Sequence, residues 1–166
     1  MTTDLTSSPD AARIERTYEA PPELLWELWT TTAGLEEFWG ADGFETRVSD
    51  LELKPGGQAC YRMTATAPEQ VAFLEDLGLP LTNEFRRTFT EIAAPTRLAY
   101  LSVIDFVPGQ EPYEHLTTVD FQPRGDGSQL IMTIDPLHDE GWTRDYRDHR
   151  ANELDNLARA IERRAR

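Results

Sequence analysis

The segment EGWTRDYRDHRANELDNLARAIERR, residues 140–164, decides the fold class of this chain. It contains no proline, and large or apolar side chains recur at every third or fourth position, which predicts one long amphipathic helix. The predicted stripe consists of Trp142, Tyr146, His149, Glu153, Leu157 and Ile161. Asp139 is the predicted N-cap, and Glu140 in the first turn stabilises the positive end of the helix dipole. A single helix of this kind must bury its stripe against another layer.

The preceding sequence predicts that this layer is a sheet, because its residues alternate with a period of two in a series of short segments. The predicted strands are 13–19, 44–53, 58–65, 83–93, 97–106, 113–122 and 129–135. Short turns such as 54–57 join consecutive strands, which favours an antiparallel sheet. Two short helices, at 23–31 and 35–39, follow the first strand. The predicted fold class is therefore α+β.

The segment 68–79 departs from the strand pattern, because its apolar residues follow a helical spacing. We expect a short amphipathic helix between two strands of the sheet. Two roles remain open for it: a lid over a ligand entrance, or a fixed patch that completes the core.

Length and composition limit which domain organisation and which partners are possible. A chain of 166 residues with 39% hydrophobic and 28% charged residues is typical of one globular domain. We expect residues 1–10 to be a flexible leader and 11–166 to form a single domain. The net charge of −14 disfavours nucleic acid and anionic membranes as partners. The start of the chain lacks the pattern of a signal peptide, so a cytoplasmic location is expected.

Several segments together resemble the START-like (SRPBCC) superfamily and, within it, bacterial homologues of the heat-shock chaperone ATPase activator C-terminal domain. The matching segments are RTYEAPPE (16–23), LWELWT (25–30), FWG (38–40), LKPGG (53–57), FTEI (89–92), PTRL (95–98) and GW (141–142). The resemblance implies a helix-grip fold, in which a curled antiparallel sheet of about six to seven strands surrounds the long C-terminal helix. It also implies an elongated apolar cavity between sheet and helix. The family has no shared catalytic motif.

The residues expected at this cavity come from the inward-facing strand positions and from the helix stripe. The expected walls are Trp39, Phe44, Tyr61, Met63, Tyr100, Val119, Met132, Trp142 and Tyr146. The polar residues expected on the same faces are His115, Thr117, His149 and Glu153. Because an unpaired buried polar group costs about 1–3 kcal/mol, such residues would fix a ligand's polar end or act as acid and base. The alternative is that His149 and Glu153 lie at the edge of the stripe and are solvated.

Motifs for other chemistry are absent from the sequence. It contains no Gly-x-Ser-x-Gly, no His-x-x-x-His or Cys-x-x-Cys and no Gly-rich phosphate loop. We therefore expect no catalytic residue, no metal site and no cofactor. The predicted function is binding of a small apolar molecule with no established catalysis, and a homodimer is left open. The alternatives are a cyclase- or hydrolase-type enzyme using His149 with Glu153 or Tyr61, and a chaperone-activating interaction module.

Overall fold

The computed structural model describes residues 12–40, 42–105, 107 and 109–164, so the leader predicted at 1–10 lies outside the described residues. The elements in chain order are β1 Ala12–Tyr18, α1 Pro22–Thr30, α2 Thr32–Phe38, β2 Phe44–Leu51, β3 Gln58–Ala65, α3 Pro68–Asp76, β4 Thr82–Ala93, β5 Arg97–Ile104, β6 Tyr113–Arg124, β7 Gly127–Ile134 and α4 Glu140–Arg164.

The sheet has seven strands in the order β1-β7-β6-β5-β4-β3-β2, and every neighbouring pair is antiparallel. The strands β2 to β7 are thus sequential neighbours, while β1 joins the far edge by pairing with β7. Together with the long C-terminal helix, this confirms the predicted α+β helix-grip fold.

The long helix α4 covers the inner face of the sheet mainly with its second half. Leu154 and Leu157 are fully buried and belong to the same core as Val119 and Met132 of the sheet. The Tyr18 hydroxyl donates a hydrogen bond to the backbone oxygen of Leu154 at 2.9 Å. This contact ties strand β1 to the middle of the helix.

The first turn of α4 confirms the predicted N-cap. The Oδ1 atom of Asp139 accepts a hydrogen bond from the backbone N–H of Trp142 at 2.7 Å. The buried positions further along differ from the predicted stripe, because His149 is exposed and the neighbouring Arg150 is buried. A helix that repeats every 3.6 residues can direct either position inward. Here Arg150 takes the inner one, where it contacts Glu153.

The short helices α1 and α2 close one end of the core with aromatic side chains. Trp29 is fully buried, and its ring packs edge-on against those of Phe38, Trp39 and Phe121 at 5.3, 5.2 and 6.1 Å. Gly34 permits the close approach of the two helices, since a Cβ there would lie 2.4 Å from the backbone oxygen of Leu28. This junction therefore tolerates only glycine without rearrangement.

Helix α3 is shorter than predicted and lies outside the core. It ends at Asp76 instead of residue 79, and none of its residues is buried. Phe73 and Leu77 are 59% and 57% exposed. Among the described residues, no helix is long and apolar enough to cross a membrane.

Candidate functional site

A pocket of about 470 Å³ opens between strands β2–β5, helix α3 and the N-terminal half of α4. Its volume lies within the range of small-molecule sites, roughly 300–1,000 Å³. The apolar and aromatic lining consists of Phe44, Tyr61, Met63, Phe73, Leu74, Leu79, Pro80, Phe85, Val103, Ile104, Trp142 and Tyr146. The other lining residues are Gln70, Asn83, Arg86, Ser102, His149 and Arg150. The pocket therefore combines an apolar wall with a few polar groups that include two arginines.

The residues expected at the site divide into two groups. Those that line the pocket are Phe44, Tyr61, Met63, Trp142, Tyr146 and His149. Those that are buried in the interior and do not line it are Trp39, Tyr100, His115, Thr117, Val119, Met132 and Glu153. The interior group includes ordinary core residues, but it also includes polar side chains that need an explanation.

The most unusual interior residue is Arg87 of β4, which the sequence analysis did not select. Its side chain is only 2% exposed, and its Cζ atom lies 4.1 Å from the Tyr100 ring centroid and 4.4 Å from that of Trp39. The Nη2 atom donates to the Tyr61 hydroxyl at 3.4 Å. The Nε and Nη1 atoms have no hydrogen-bond partner, and no described carboxylate forms an ion pair with this guanidinium. Aromatic faces therefore provide most of its surroundings.

A second buried guanidinium, that of Arg150 on α4, has a carboxylate partner. Its Nε atom forms a short hydrogen bond with Oε1 of Glu153, which is fully buried. The other carboxylate oxygen accepts a hydrogen bond from the backbone N–H of Gly40 at 2.8 Å. Burial is the largest influence on the pKa of Arg150 and lowers it, but the charge and hydrogen bond of Glu153, together with Tyr146 and Tyr61, outweigh burial, so the net shift of the pKa is upward. Through its hydrogen bond with Gly40, Glu153 joins α4 to the loop that follows α2.

The guanidinium of Arg150 also contacts aromatic rings. Its Cζ atom lies 4.4 Å from the ring centroid of Tyr146 and 4.8 Å from that of Trp39. Since Trp39 also contacts Arg87, one indole connects the two cations. We call this group the arginine–aromatic cluster; it consists of Arg87, Arg150, Trp39, Tyr61, Tyr100 and Tyr146.

His115 of β6 borders the cluster. Its ring packs edge-on against Tyr146, with centroids 4.9 Å apart, and neither ring nitrogen has a hydrogen-bond partner. Burial and, secondly, the positive charge of Arg150 lower the pKa of His115 to about 4. The imidazole is therefore neutral at pH 7. The Thr117 hydroxyl, two residues along the strand, is also buried without a partner.

The strand register places the pocket beside these interior groups. Arg87 lies directly opposite Ser102 on β5, and Ser102 lies directly opposite His115 on β6. Ser102 is half-buried and lines the pocket. The pocket wall at Ser102 is therefore flanked by Arg87 on one neighbouring strand and by His115 on the other.

Charge is distributed unevenly between this site and the whole chain. The protein carries a net charge of −14, yet none of the described residues that line the pocket is Asp or Glu. Glu153 pairs with Arg150, Arg87 forms no ion pair with a described carboxylate, and His115 is neutral. Among the described residues, the interior thus holds one uncompensated positive charge. Among the described residues, no group of His, Cys, Asp and Glu side chains is arranged to hold a metal ion.

Comparisons with known proteins agree on the fold. The family described as Activator of Hsp90 ATPase homolog 1-like protein matches residues 19–162. A protein from Chromobacterium violaceum has 20% sequence identity and a TM-score of 0.75, over 93% of this chain and 99% of that one. An AHSA1 protein from Silicibacter pomeroyi has 18% identity and a TM-score of 0.72, over 92% and 97% of the two chains.

A third solved structure, an AHSA1-like protein from Aeromonas hydrophila, has 22% identity and a TM-score of 0.72, over 93% of this chain and 94% of that one. At these identities the likeness establishes the fold alone. A comparison with curated protein sequences finds no match.

Proposed function

The chain belongs to the family of Activator of Hsp90 ATPase homolog 1-like proteins, and we propose that it binds a small, largely apolar molecule in the pocket between the sheet and α4. The observation that carries this proposal is the pocket itself, with its volume of about 470 Å³ and its mainly apolar and aromatic lining. Transfer of apolar surface from water into such a site is the main source of affinity for small ligands.

Binding without catalysis accounts for the polar residues better than an acid–base mechanism does. The enzyme alternative pairs His149 with Glu153, but His149 is exposed whereas Glu153 is fully buried. Both Glu153 oxygens already accept hydrogen bonds, one from Arg150 and one from Gly40. A fully buried carboxylate held in this way is a structural partner of the arginine, and Glu153 does not line the pocket from which a substrate proton would come.

A second function, as a protein-interaction module, is favoured by one separate observation. Phe73 on helix α3 and Leu77 directly after the helix are exposed to solvent, with exposed fractions of 59% and 57%. Neighbouring apolar side chains with this exposure are typical of contact surfaces. Phe73 also lines the pocket, so a bound ligand and a partner protein would compete for the same side chain.

The test is a titration with the neutral fluorescent probe N-phenylnaphthylamine, whose emission rises in apolar surroundings. We expect saturable binding at one site. The variant Ser102→Phe adds an aromatic ring at the half-buried pocket wall and should weaken probe binding at least tenfold. Thr17→Phe also adds an aromatic ring, but at an exposed position of strand β1, and it should leave probe binding unchanged.

Circular dichroism establishes that each variant is folded before the titration. The proposal fails if the unaltered protein shows no saturable probe binding. It also fails if a folded Ser102→Phe protein binds the probe as tightly as the Thr17→Phe control does.

A further inference from the structure

The arginine–aromatic cluster specifies the chemistry of the ligand more closely than the apolar lining does. Resting on the proposed function, we propose that the bound molecule carries one carboxylate and that Arg87 binds this carboxylate at the inner end of the pocket. The ligand class is a monocarboxylic acid with an apolar body.

Charge beside the pocket wall is the first observation that favours this ligand class. Arg150 is neutralised by Glu153, whereas no described carboxylate forms an ion pair with Arg87. Arginine stays protonated at every pH at which proteins are folded, so the positive charge cannot be lost by deprotonation. A charge buried in a protein needs a partner of opposite sign. A ligand carboxylate would supply that partner.

The unused hydrogen-bonding capacity of Arg87 also favours a carboxylate. A guanidinium presents five N–H donors in a planar fork that matches the two oxygens of a carboxylate. In Arg87 the Nε and Nη1 atoms have no partner, and only Nη2 donates, to the Tyr61 hydroxyl at 3.4 Å. The aromatic rings of Trp39 and Tyr100 stabilise the cation through their faces, but they accept no conventional hydrogen bond in the guanidinium plane. Three N–H groups, one on Nε and two on Nη1, thus remain without an acceptor and are available to an anion.

Arg87 lies next to the pocket wall, which gives a ligand in the pocket access to it. Ser102 lines the pocket and lies directly opposite Arg87 on the neighbouring strand, so their Cβ atoms are about 4.5–5.5 Å apart. Tyr61, which also lines the pocket, is the side chain that contacts Arg87 from that side. A carboxylate that passes Ser102 therefore reaches Arg87 once the Tyr61 ring moves aside.

The composition of the pocket lining favours an anion over a cation or a neutral polar group. Arg86 and Arg150 line the pocket, and none of the described lining residues is acidic. The pocket lining is therefore positively charged, whereas the chain as a whole has a net charge of −14. One uncompensated charge favours a monoanion, and the large apolar area of the wall favours an apolar body attached to it.

The test compares how well decanoate and decan-1-ol displace N-phenylnaphthylamine from the unaltered protein. The two compounds share an apolar chain, and only decanoate carries a carboxylate. Because a charge-assisted bidentate contact is about twice as strong as a neutral hydrogen bond, we expect decanoate to bind at least about tenfold more tightly than the alcohol. The variant Arg87→Met keeps an apolar side chain of similar reach and should remove this preference. Its effect on the alcohol should be small.

Arg62→Met is the matched control, since Arg62 is an exposed arginine on the neighbouring strand β3. It should leave the acid-to-alcohol affinity ratio unchanged. That ratio is the decisive readout, because an Arg87 that only stabilised the fold would change the melting temperature without changing the ratio.

The outcomes separate the two proposals. If the probe does not bind the unaltered protein, the proposed function fails and this inference fails with it. If the probe binds but acid and alcohol displace it equally, only the inference is overturned. A folded Arg87→Met protein that retains the preference also overturns it. The comparison of acid with alcohol needs no variant, so it decides the matter even if Arg87→Met does not fold.

Discussion

Replacing Glu153 by alanine tests the buried ion pair on which the interior of this protein depends. The substitution removes the partner of Arg150 and the acceptor for the backbone N–H of Gly40. Both groups stay behind in a region where Glu153 itself is fully buried. The loss of one member of a buried pair costs about 3–5 kcal/mol, and an unsatisfied N–H adds to that cost. Because domains are stable by only about 5–15 kcal/mol, the variant should be close to unfolding.

The assay is urea unfolding followed by circular dichroism, with the free energy of unfolding extrapolated to water. Glu153→Gln is an informative second variant, because its amide oxygen can still accept from Gly40 while the charge opposite Arg150 is lost. We expect Glu153→Gln to lower the free energy of unfolding by less than Glu153→Ala does. Asp155→Ala is the control, since Asp155 is an exposed carboxylate on the same helix that lies 3.9 Å from Arg16. Surface pairs contribute about 0–1 kcal/mol, so this variant should unfold almost as the parent does.

The reasoning is refuted if Glu153→Ala loses no more stability than Asp155→Ala. Such a result would mean that Arg150 is satisfied without Glu153, and that the interior does not hold the charges in the arrangement described above.

Three further predictions follow from burial. Trp29→Ala should cost about 3–5 kcal/mol in urea unfolding because Trp29 is fully buried, whereas Trp142→Ala, at a half-buried pocket position, should cost less and weaken probe binding. The pKa of His115 is about 4 in the folded chain and near 6.5 in the unfolded chain. As the pH falls, the unfolded state therefore gains the proton first. The free energy of unfolding should drop by about 3 kcal/mol between pH 6.5 and 4. In His115→Leu the free energy of unfolding should depend less on pH over this window, and an unchanged slope would contradict the assignment. Replacing residues 68–79 by a Gly-Ser turn should leave a folded protein, since α3 buries no residue, and stopped-flow measurements should show altered probe uptake; loss of folding, or unchanged kinetics, would exclude a lid.

The sheet and the long helix could be predicted because the spacing of apolar residues in the sequence has the period of a strand or of a helix. Strands β2 and β3 are joined by a Pro-Gly-Gly turn, and their side chains alternate between an inner and an outer face except at the register shift between Val48 and Asp50. Residues 140–164 are helical as predicted, including the cap at Asp139. Element ends were less exact, and the predicted helix 68–79 stops at Asp76. That end depends on Gly78, which has a φ of +69°.

The central residues of the site could not be predicted by the same reasoning, because arginine in an alternating strand is normally assigned to the solvent face. The sequence does not decide the inner face of the strand at 83–93, since Phe85 and Phe89 have the opposite parity from Thr88, Thr90 and Ile92. The structure has a register shift between Phe89 and Glu91, which is why one parity rule fails to describe the whole strand. Arg87 shares the parity of the two phenylalanines, and this was the one available signal for its burial. The aromatic rings that make the burial tolerable come from distant parts of the chain.

The chain as a whole is negatively charged whereas the pocket is positively charged, and this difference affects how the proposed ligand binds. A carboxylic acid approaching a protein of net charge −14 is repelled at long range, and salt weakens that repulsion because the screening length is about 8 Å at physiological ionic strength. At Arg87, which is 2% exposed, solvent ions screen the attraction far less. Added salt should therefore raise the association rate of decanoate while leaving its dissociation rate nearly unchanged. Association then depends on the apolar body entering the pocket, and the buried guanidinium selects the acid only after that body is in place.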